Sequence, residues 1–252
     1  AFRKSLPGKG IPAPELITEM QGIKSKDASW KEGKIFGYVF HPGEETASVA
    51  GKAHQLFSSE NALNSSLFKS LKIFENEIVH IVTGLLHGGH EAAGTFTTGG
   101  TESIFLAIKT ARDKARAEHP EITAPRIVVP ESAHPAFQKA AHYLNVEIVL
   151  TPVREDKRAD PEAMRRSVSS GTILIVASAP SFPHGVIDPI EEIAQIALDK
   201  NIPFHVDACM GGMLLPFVEI LGYPVPGYDF RVPGVTSISA DLHKYGYSPK
   251  GA

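Results

Sequence analysis

Cysteine is nearly absent. Cys209 stands alone in 252 residues, so no disulfide can close within the chain, and a reducing compartment, the cytoplasm, is the expected location. No stretch approaches the ~20 consecutive apolar residues that a membrane-crossing helix needs, and no secretory signal pattern opens the chain. An excess of basic charge is missing too: 25 Lys and Arg stand against 28 Asp and Glu, a net charge of −3. That balance gives no footprint for nucleic acid and no patch for an anionic lipid surface. No cysteine cluster and no H-E-x-x-H occurs, so the 11 histidines form no zinc pattern. G-x-S-x-G is also missing, which argues against a Ser-His-Asp hydrolase. The chain opens at Ala1 and stops just after its most motif-rich stretch. It is therefore expected to be a piece of a longer protein, with a small C-terminal domain beyond it and attachment to a membrane through a preceding segment left open.

What is present is a large apolar content, 42%, enough for one sizeable core. Residues 1–88 read as an N-terminal arm and helical segment. A short helix follows Pro12-Ala13-Pro14 over Leu16–Met20 or a little beyond, and a second runs from Glu45 through Phe57. A third spans Leu67–Leu86, with Leu67, Leu71, Phe74, Ile78, Ile81, Val82 and Leu85 at spacings of three and four, a face expected to be buried. In the arm, Trp30, Tyr38 and Phe40 read as packing contacts or as an arm crossing a partner subunit, and with no obvious local partner they point to a dimer.

From residue 89 to 252 the pattern changes to alternating strands and helices. A helix is expected over Glu102–Glu118. Strands are expected at Ile127–Val129, Val146–Leu150, Thr172–Ala177, Pro203–Val206 and Val235–Ile238, with helices at Pro135–Leu144 and Asp160–Val168 and a third running to about Lys200. Asp160-Pro161 and Asp188-Pro189 each read as a capping aspartate followed by proline at the first helical position. Such alternation specifies an α/β domain with a mostly parallel sheet flanked by helices. Ligands of such sheets sit at the carboxyl ends of the strands.

Four features lie at those ends. Thr98-Gly99-Gly100-Thr101 precedes a helix, where free N–H groups attract an anion such as phosphate; the plain alternative is a turn. His134 follows the first strand and is either a flat ring for stacking or a helix cap. Asp207 closes Phe204-His205-Val206, where it could bind metal, orient a histidine, meet a protonated ring nitrogen or cap a helix; His205 itself reads as a core histidine. Lys244, in H-K-Y-G after the last strand, is an amine on a turn, as an imine-forming lysine requires. Phosphate site, ring cover, carboxylate and amine together fit one ligand, pyridoxal 5′-phosphate.

The motifs T-G-G-T-E-S-I, S-A-H-P-A-F, S-F-P-H-G-V-I-D-P-I, I-P-F-H-V-D-A-C-M-G-G and G-V-T-S-I-S-A-D-L-H-K-Y-G-Y-S-P-K-G resemble the sphingosine-1-phosphate lyases. More widely, they resemble the group II amino-acid decarboxylases. The resemblance implies a fold-type I, pyridoxal-phosphate-dependent homodimer with composite active sites. It also implies retro-aldol cleavage of a phosphorylated sphingoid base to a long-chain aldehyde and phosphoethanolamine. Carried over by position, Lys244 is the imine lysine and Asp207 the partner of the ring nitrogen. His134 is the stacking ring, and Gly100, Thr101 and His243 hold the cofactor phosphate. Lys250 lies near the substrate phosphate. Asn61 of the family's N-P-L-H is kept. Asn64 replaces its histidine and Phe40 stands where the family has tyrosine, so the substrate pocket departs from the pattern at two places. An amino-acid decarboxylase is the alternative activity, and a degenerate scaffold chain the non-enzymatic one.

Overall fold

Val, Ile and Leu fill five short strands that pair in parallel, in a computed structural model describing residues 5–6, 8–64 and 66–250. The strands are β1 (Arg126–Pro130), β2 (Glu147–Thr151), β3 (Thr172–Ser178), β4 (Phe204–Asp207) and β5 (Val235–Ser239), in the spatial order β2-β1-β3-β4-β5. Every residue of β3 is buried, as expected of a central strand covered on both faces.

Alternation along the strands divides the core in two. Ile127, Val129, Leu174 and Val176 face one cluster, closed by Ile104, Ile108 and Ala111 of α4 (Gly100–Glu118) and by Phe137, Ala140 and Ala141 of α5 (Ala136–Leu144). Val128, Ile175, Ala177, Phe204 and Val206 face the other. That side is covered by Met164 of α6 (Pro161–Ser167) and by Ile190, Ile193, Ala194 and Ala197 of α7 (Ile190–Lys200). The α/β architecture read from the sequence is thus the observed one, with element ends displaced by a residue or two. Chain direction along the sheet reverses between β1→β2 and β1→β3→β4→β5, the topology that opens a crevice at the carboxyl ends.

The chain divides into two compact units, Ala1–Val39 and Phe40–Ala252. The first holds a helix at Ala13–Lys24, longer than the Leu16–Met20 expected, and a single 3-10 turn at Trp30–Glu32. The helices α2 (Glu44–Leu56) and α3 (Lys69–Leu85), grouped with the arm by sequence, lie in the second unit. A short helix, α8 (Leu215–Ile220), was not anticipated.

Two local expectations are corrected. The apolar face of α3 is not buried within this chain: Phe74 is 43% and Ile81 59% exposed, and Leu67, just ahead of the helix, is 74% exposed. Asp188 does not cap α7. Its buried carboxylate accepts from Ala159 N–H and Ser178 N–H, both at 2.8 Å, tying the loop after β3 to the segment before α6. Burial raises its pKa, and these two donors oppose the rise. Asp160, by contrast, does cap α6, its Oδ1 accepting from Glu162 N–H and Ala163 N–H.

Candidate active site

The site is built where β4 and β5 end against the start of α4. Parallel pairing sets His205 beside Ser237 and Asp207 beside Ser239. The loops that follow are stitched by backbone: Ala208 N–H donates to Ser239 C=O at 3.0 Å, and Asp241 N–H to Cys209 C=O at 3.3 Å. Helix α4 enters through Gly99, whose φ of +133° is glycine backbone. A Cβ on the next residue, Gly100, would come within 2.7 Å of Asp241 Oδ1 and 2.8 Å of Cys209 Sγ. Only glycine lets the helix start this close to both loops. No side chain caps α4, so its first N–H groups are not claimed by a local cap.

Asp207 is buried, and its Oδ1 accepts from Cys209 N–H at 3.1 Å and Ser239 O–H at 3.4 Å. Among the described residues nothing hydrogen-bonds its Oδ2. If Ser239 donates to Asp207, it must accept from His205 Nε2–H at 3.2 Å, leaving His205 Nδ1 to accept from Ser237 O–H at 2.9 Å. His205 is therefore a neutral imidazole, and burial pushes its pKa down to about 4 against the pull of the Asp207 charge. It is the core histidine that the sequence suggested, and it braces Asp207 through Ser239.

Lys244 Nζ lies 2.8 Å from Asp241 Oδ2, and His243 Nε2 lies 3.8 Å from the same oxygen. Burial pulls the Lys244 pKa down, but the neighbouring anions win and its net shift is upward. A Cys209 thiolate would add to that rise; however, burial and the Asp207 charge push the Cys209 thiol well above its usual range. The thiol is therefore neutral, and the upward pull that remains on the amine comes from Asp241, paired with it at 2.8 Å, and from Asp207.

The structure brings together Lys244, Asp207, His243 and Gly100. Thr101 occupies the exposed first turn of α4. His134 follows β1 and is exposed; its Nδ1 accepts from Ala136 N–H at 3.1 Å, which bonds it to the first turn of α5. Phe40 packs edge-on against Tyr245 with ring centres 4.9 Å apart, and Lys250 Nζ lies 5.4 Å above the Phe40 ring. Asn61 and Asn64 sit exposed in the loop between α2 and α3, their side-chain oxygens accepting from the nearby backbone of Leu63 and of Ser66 and Leu67. Of the two departures from the family pattern, then, Phe40 touches the H-K-Y-G stretch, whereas Asn64 is engaged locally. Gly251, which closes the last of the motifs compared above, lies outside the described residues.

Sequence reasoning passed over Asp241 and Ser239. Their signals were present in S-I-S-A-D-L-H-K: two serines on one strand face, and a carboxylate three residues before the lysine. A cavity of about 660 Å³ adjoins the cluster, lined in part by Gly99, Ser103, His205, Ser239 and Asp241. Another, of about 640 Å³, sits at the amino ends of the strands near Thr172, Pro203 and Thr236, away from the candidate residues.

The sequence pattern described as "Pyridoxal-dependent decarboxylase conserved domain" matches residues 21–251. The chain belongs to this family. Sphingosine-1-phosphate lyase 1 of Rattus norvegicus is 46% identical over 252 residues, covering 100% of this chain and 44% of the rat protein. The Arabidopsis thaliana sphingosine-1-phosphate lyase is 46% identical over 254 residues, 98% of this chain and 46% of its own length. This chain therefore spans less than half the length of these curated relatives. The solved sphingosine-1-phosphate lyase of Burkholderia pseudomallei superposes with a TM-score of 0.93 at 41% identity, covering all of this chain and 59% of that one. A glutamate decarboxylase of Lactobacillus brevis, at 23% identity and TM-score 0.81 over 98% of this chain and 58% of its own, shares the fold. The resemblance read from the motifs holds, as does the fold-type I assignment.

The cofactor of this family, pyridoxal phosphate, suits the residues present. Gly99 and Gly100 form a cradle that a Cβ would fill. Ser132 Oγ, just past β1, and Asp241 Oδ1, against the start of α4, are buried polar atoms with no hydrogen-bond partner among the described residues. A carboxylate, Asp207, ends β4, and an amine, Lys244, stands in the turn that follows the adjacent strand β5.

Proposed function

We propose that the protein containing this chain is a carbon–carbon lyase acting on a phosphorylated sphingoid base. The observation that carries this reading is Lys250. Its cation lies over the Phe40 ring, and that ring packs edge-on against Tyr245, the residue after Lys244. A second cation there suits a substrate phosphate, which an ordinary amino-acid decarboxylase does not require.

Pyridoxal phosphate, when bound, supplies an electron sink for the pair released as a bond at the amine-bearing carbon breaks. The chain's residues supply the rest. Asp207, held by Cys209 N–H and Ser239, would supply a carboxylate to stabilise a protonated ring nitrogen. The start of α4 and His243 would hold the cofactor phosphate. Lys244 would hold the cofactor aldehyde and could then move a proton. Cleavage takes the proton from the hydroxyl beside the breaking carbon–carbon bond, leaving an aldehyde. The amine-bearing carbon gains a proton and leaves as phosphoethanolamine.

The full-length protein, loaded with pyridoxal phosphate and given a phosphorylated sphingoid base, should yield phosphoethanolamine and a long-chain aldehyde by mass spectrometry. Lys244→Ala should abolish both products. Release of carbon dioxide from an amino acid, with no aldehyde formed, would favour the decarboxylase reading instead.

Homodimerisation belongs to the same proposal, supported by the exposed apolar side chains of Ile73, Phe74 and Ile81 along α3 and of Leu67 just ahead of it. Sedimentation of the full-length protein as an active monomer would contradict it. A location in the reducing cytoplasm is proposed on the single free cysteine, to be checked by cell fractionation.

A further inference from the structure

The family resemblance assigns Asp241 no role, yet it is the carboxylate that pairs with the reactive amine. It is 4% exposed. Its Oδ2 takes the Lys244 ammonium at 2.8 Å. Among the described residues its Oδ1 has no hydrogen-bond partner, although it lies against Gly100, where an added Cβ would come within 2.7 Å. A buried carboxylate with one empty oxygen is costly unless charge nearby compensates it. Two compensating charges are present: the Lys244 ammonium and the partial positive charge at the start of α4.

We propose that Asp241 is the positioning residue of Lys244, its carboxylate anchoring the ammonium beside the start of α4 and keeping it charged until the cofactor arrives. The inference rests on the reading of Lys244 as the cofactor lysine and adds the group that controls it. An amine must lose its proton before it attacks an aldehyde. The neighbour that holds the proton therefore sets the pH at which the cofactor is captured, and it fixes the side chain in reach of the strand ends meanwhile. The other groups around Lys244 do not substitute for Asp241. Asp207 is engaged by Cys209 N–H and Ser239 O–H, and the Cys209 thiol is neutral. His243 is itself turned toward Asp241. Glu102, on the first turn of α4, is taken by the Thr98 N–H and hydroxyl.

Asp241→Asn separates charge from shape, since an amide oxygen still accepts from Lys244 but no longer holds a proton on it. In the full-length protein freed of cofactor, acylation by a small neutral reagent is followed across pH. Modification at Lys244 is read by peptide mass spectrometry, with the exposed Lys52 and Lys200 as internal references. The wild-type Lys244 midpoint should lie above those of the references. In Asp241→Asn it should fall by about one pH unit or more, making the amine about tenfold more reactive at a fixed pH below the midpoint. Identical profiles for wild type and variant would overturn the proposal. So would a wild-type midpoint at or below the references, a result that decides the matter even if the variant does not fold. Uptake of pyridoxal phosphate by the wild type is measured alongside by its absorption. Absence of uptake sinks the cofactor reading of Lys244, whereas uptake with unchanged labelling profiles sinks only the role of Asp241.

Discussion

His205 makes acid sensitivity a local property of the strand that carries Asp207. The ring is 2% exposed and hydrogen-bonded by two serines from β5. Burial holds its pKa down to about 4, against about 6.5 in an unfolded chain. Above pH 6.5 both states carry a neutral ring and the group contributes no pH dependence. As pH falls below 6.5 the unfolded chain binds a proton that the folded chain refuses, so stability is lost until the folded pKa is reached. The full difference, about 2.5 units, is worth about 3 kcal/mol, and by about pH 5 it already amounts to about 2 kcal/mol. The variant to compare is His205→Gln, which keeps an amide donor and acceptor but cannot titrate in this range. Urea unfolding of the full-length protein, followed by far-ultraviolet circular dichroism at about pH 7.5 and about pH 5, gives four stabilities. Other histidines and carboxylates titrate in both proteins and cancel in the difference. The wild type should lose about 2 kcal/mol more than the variant over this interval. Parallel losses would refute the argument that His205 is kept neutral by burial.

Gly100→Ala places a Cβ against Asp241 and Cys209, within 2.7 Å and 2.8 Å; it should cost about 1–3 kcal/mol and weaken pyridoxal phosphate binding. Differential scanning fluorimetry and an absorption titration check both effects, and unchanged cofactor affinity would show that α4 does not need this approach. Lys250→Ala should raise KM for a phosphorylated substrate by about tenfold or more, the size of one charge-assisted contact. An equal effect on the non-phosphorylated analogue would remove the phosphate role of Lys250.

Much of the fold could be read from the chain itself. The apolar runs of β1, β3 and β4 and the three- and four-residue spacing in α4 specify their own elements, because period and burial are properties of neighbouring residues. Asp160 was legible as a cap because its acceptor and donors lie within three residues. Asp188 carries the same local pattern and was misread. Its donors, Ala159 N–H and Ser178 N–H, lie 29 and 10 residues away, and nothing local distinguishes a capping aspartate from one recruited across the fold. The apolar stripe of α3 was correctly seen as a stripe, but spacing says only that a face is apolar, not what covers it.

The sequence alone determined that Lys244, Asp207, Gly100 and His243 stand at element ends, since strand–helix alternation forces polar residues following apolar strands toward one side of a parallel sheet. Only the tertiary structure decided which of them meet. The pairing of β4 with β5 puts His205 beside Ser237 and Asp207 beside Ser239, and the close entry of α4 at Gly100 sets Asp241 between a helix start and a lysine. Apart from the Asp241–Lys244 pair, three residues apart, those contacts join residues more than thirty or a hundred positions apart. Their geometry is fixed by strand register and helix packing, which no local stretch of chain encodes.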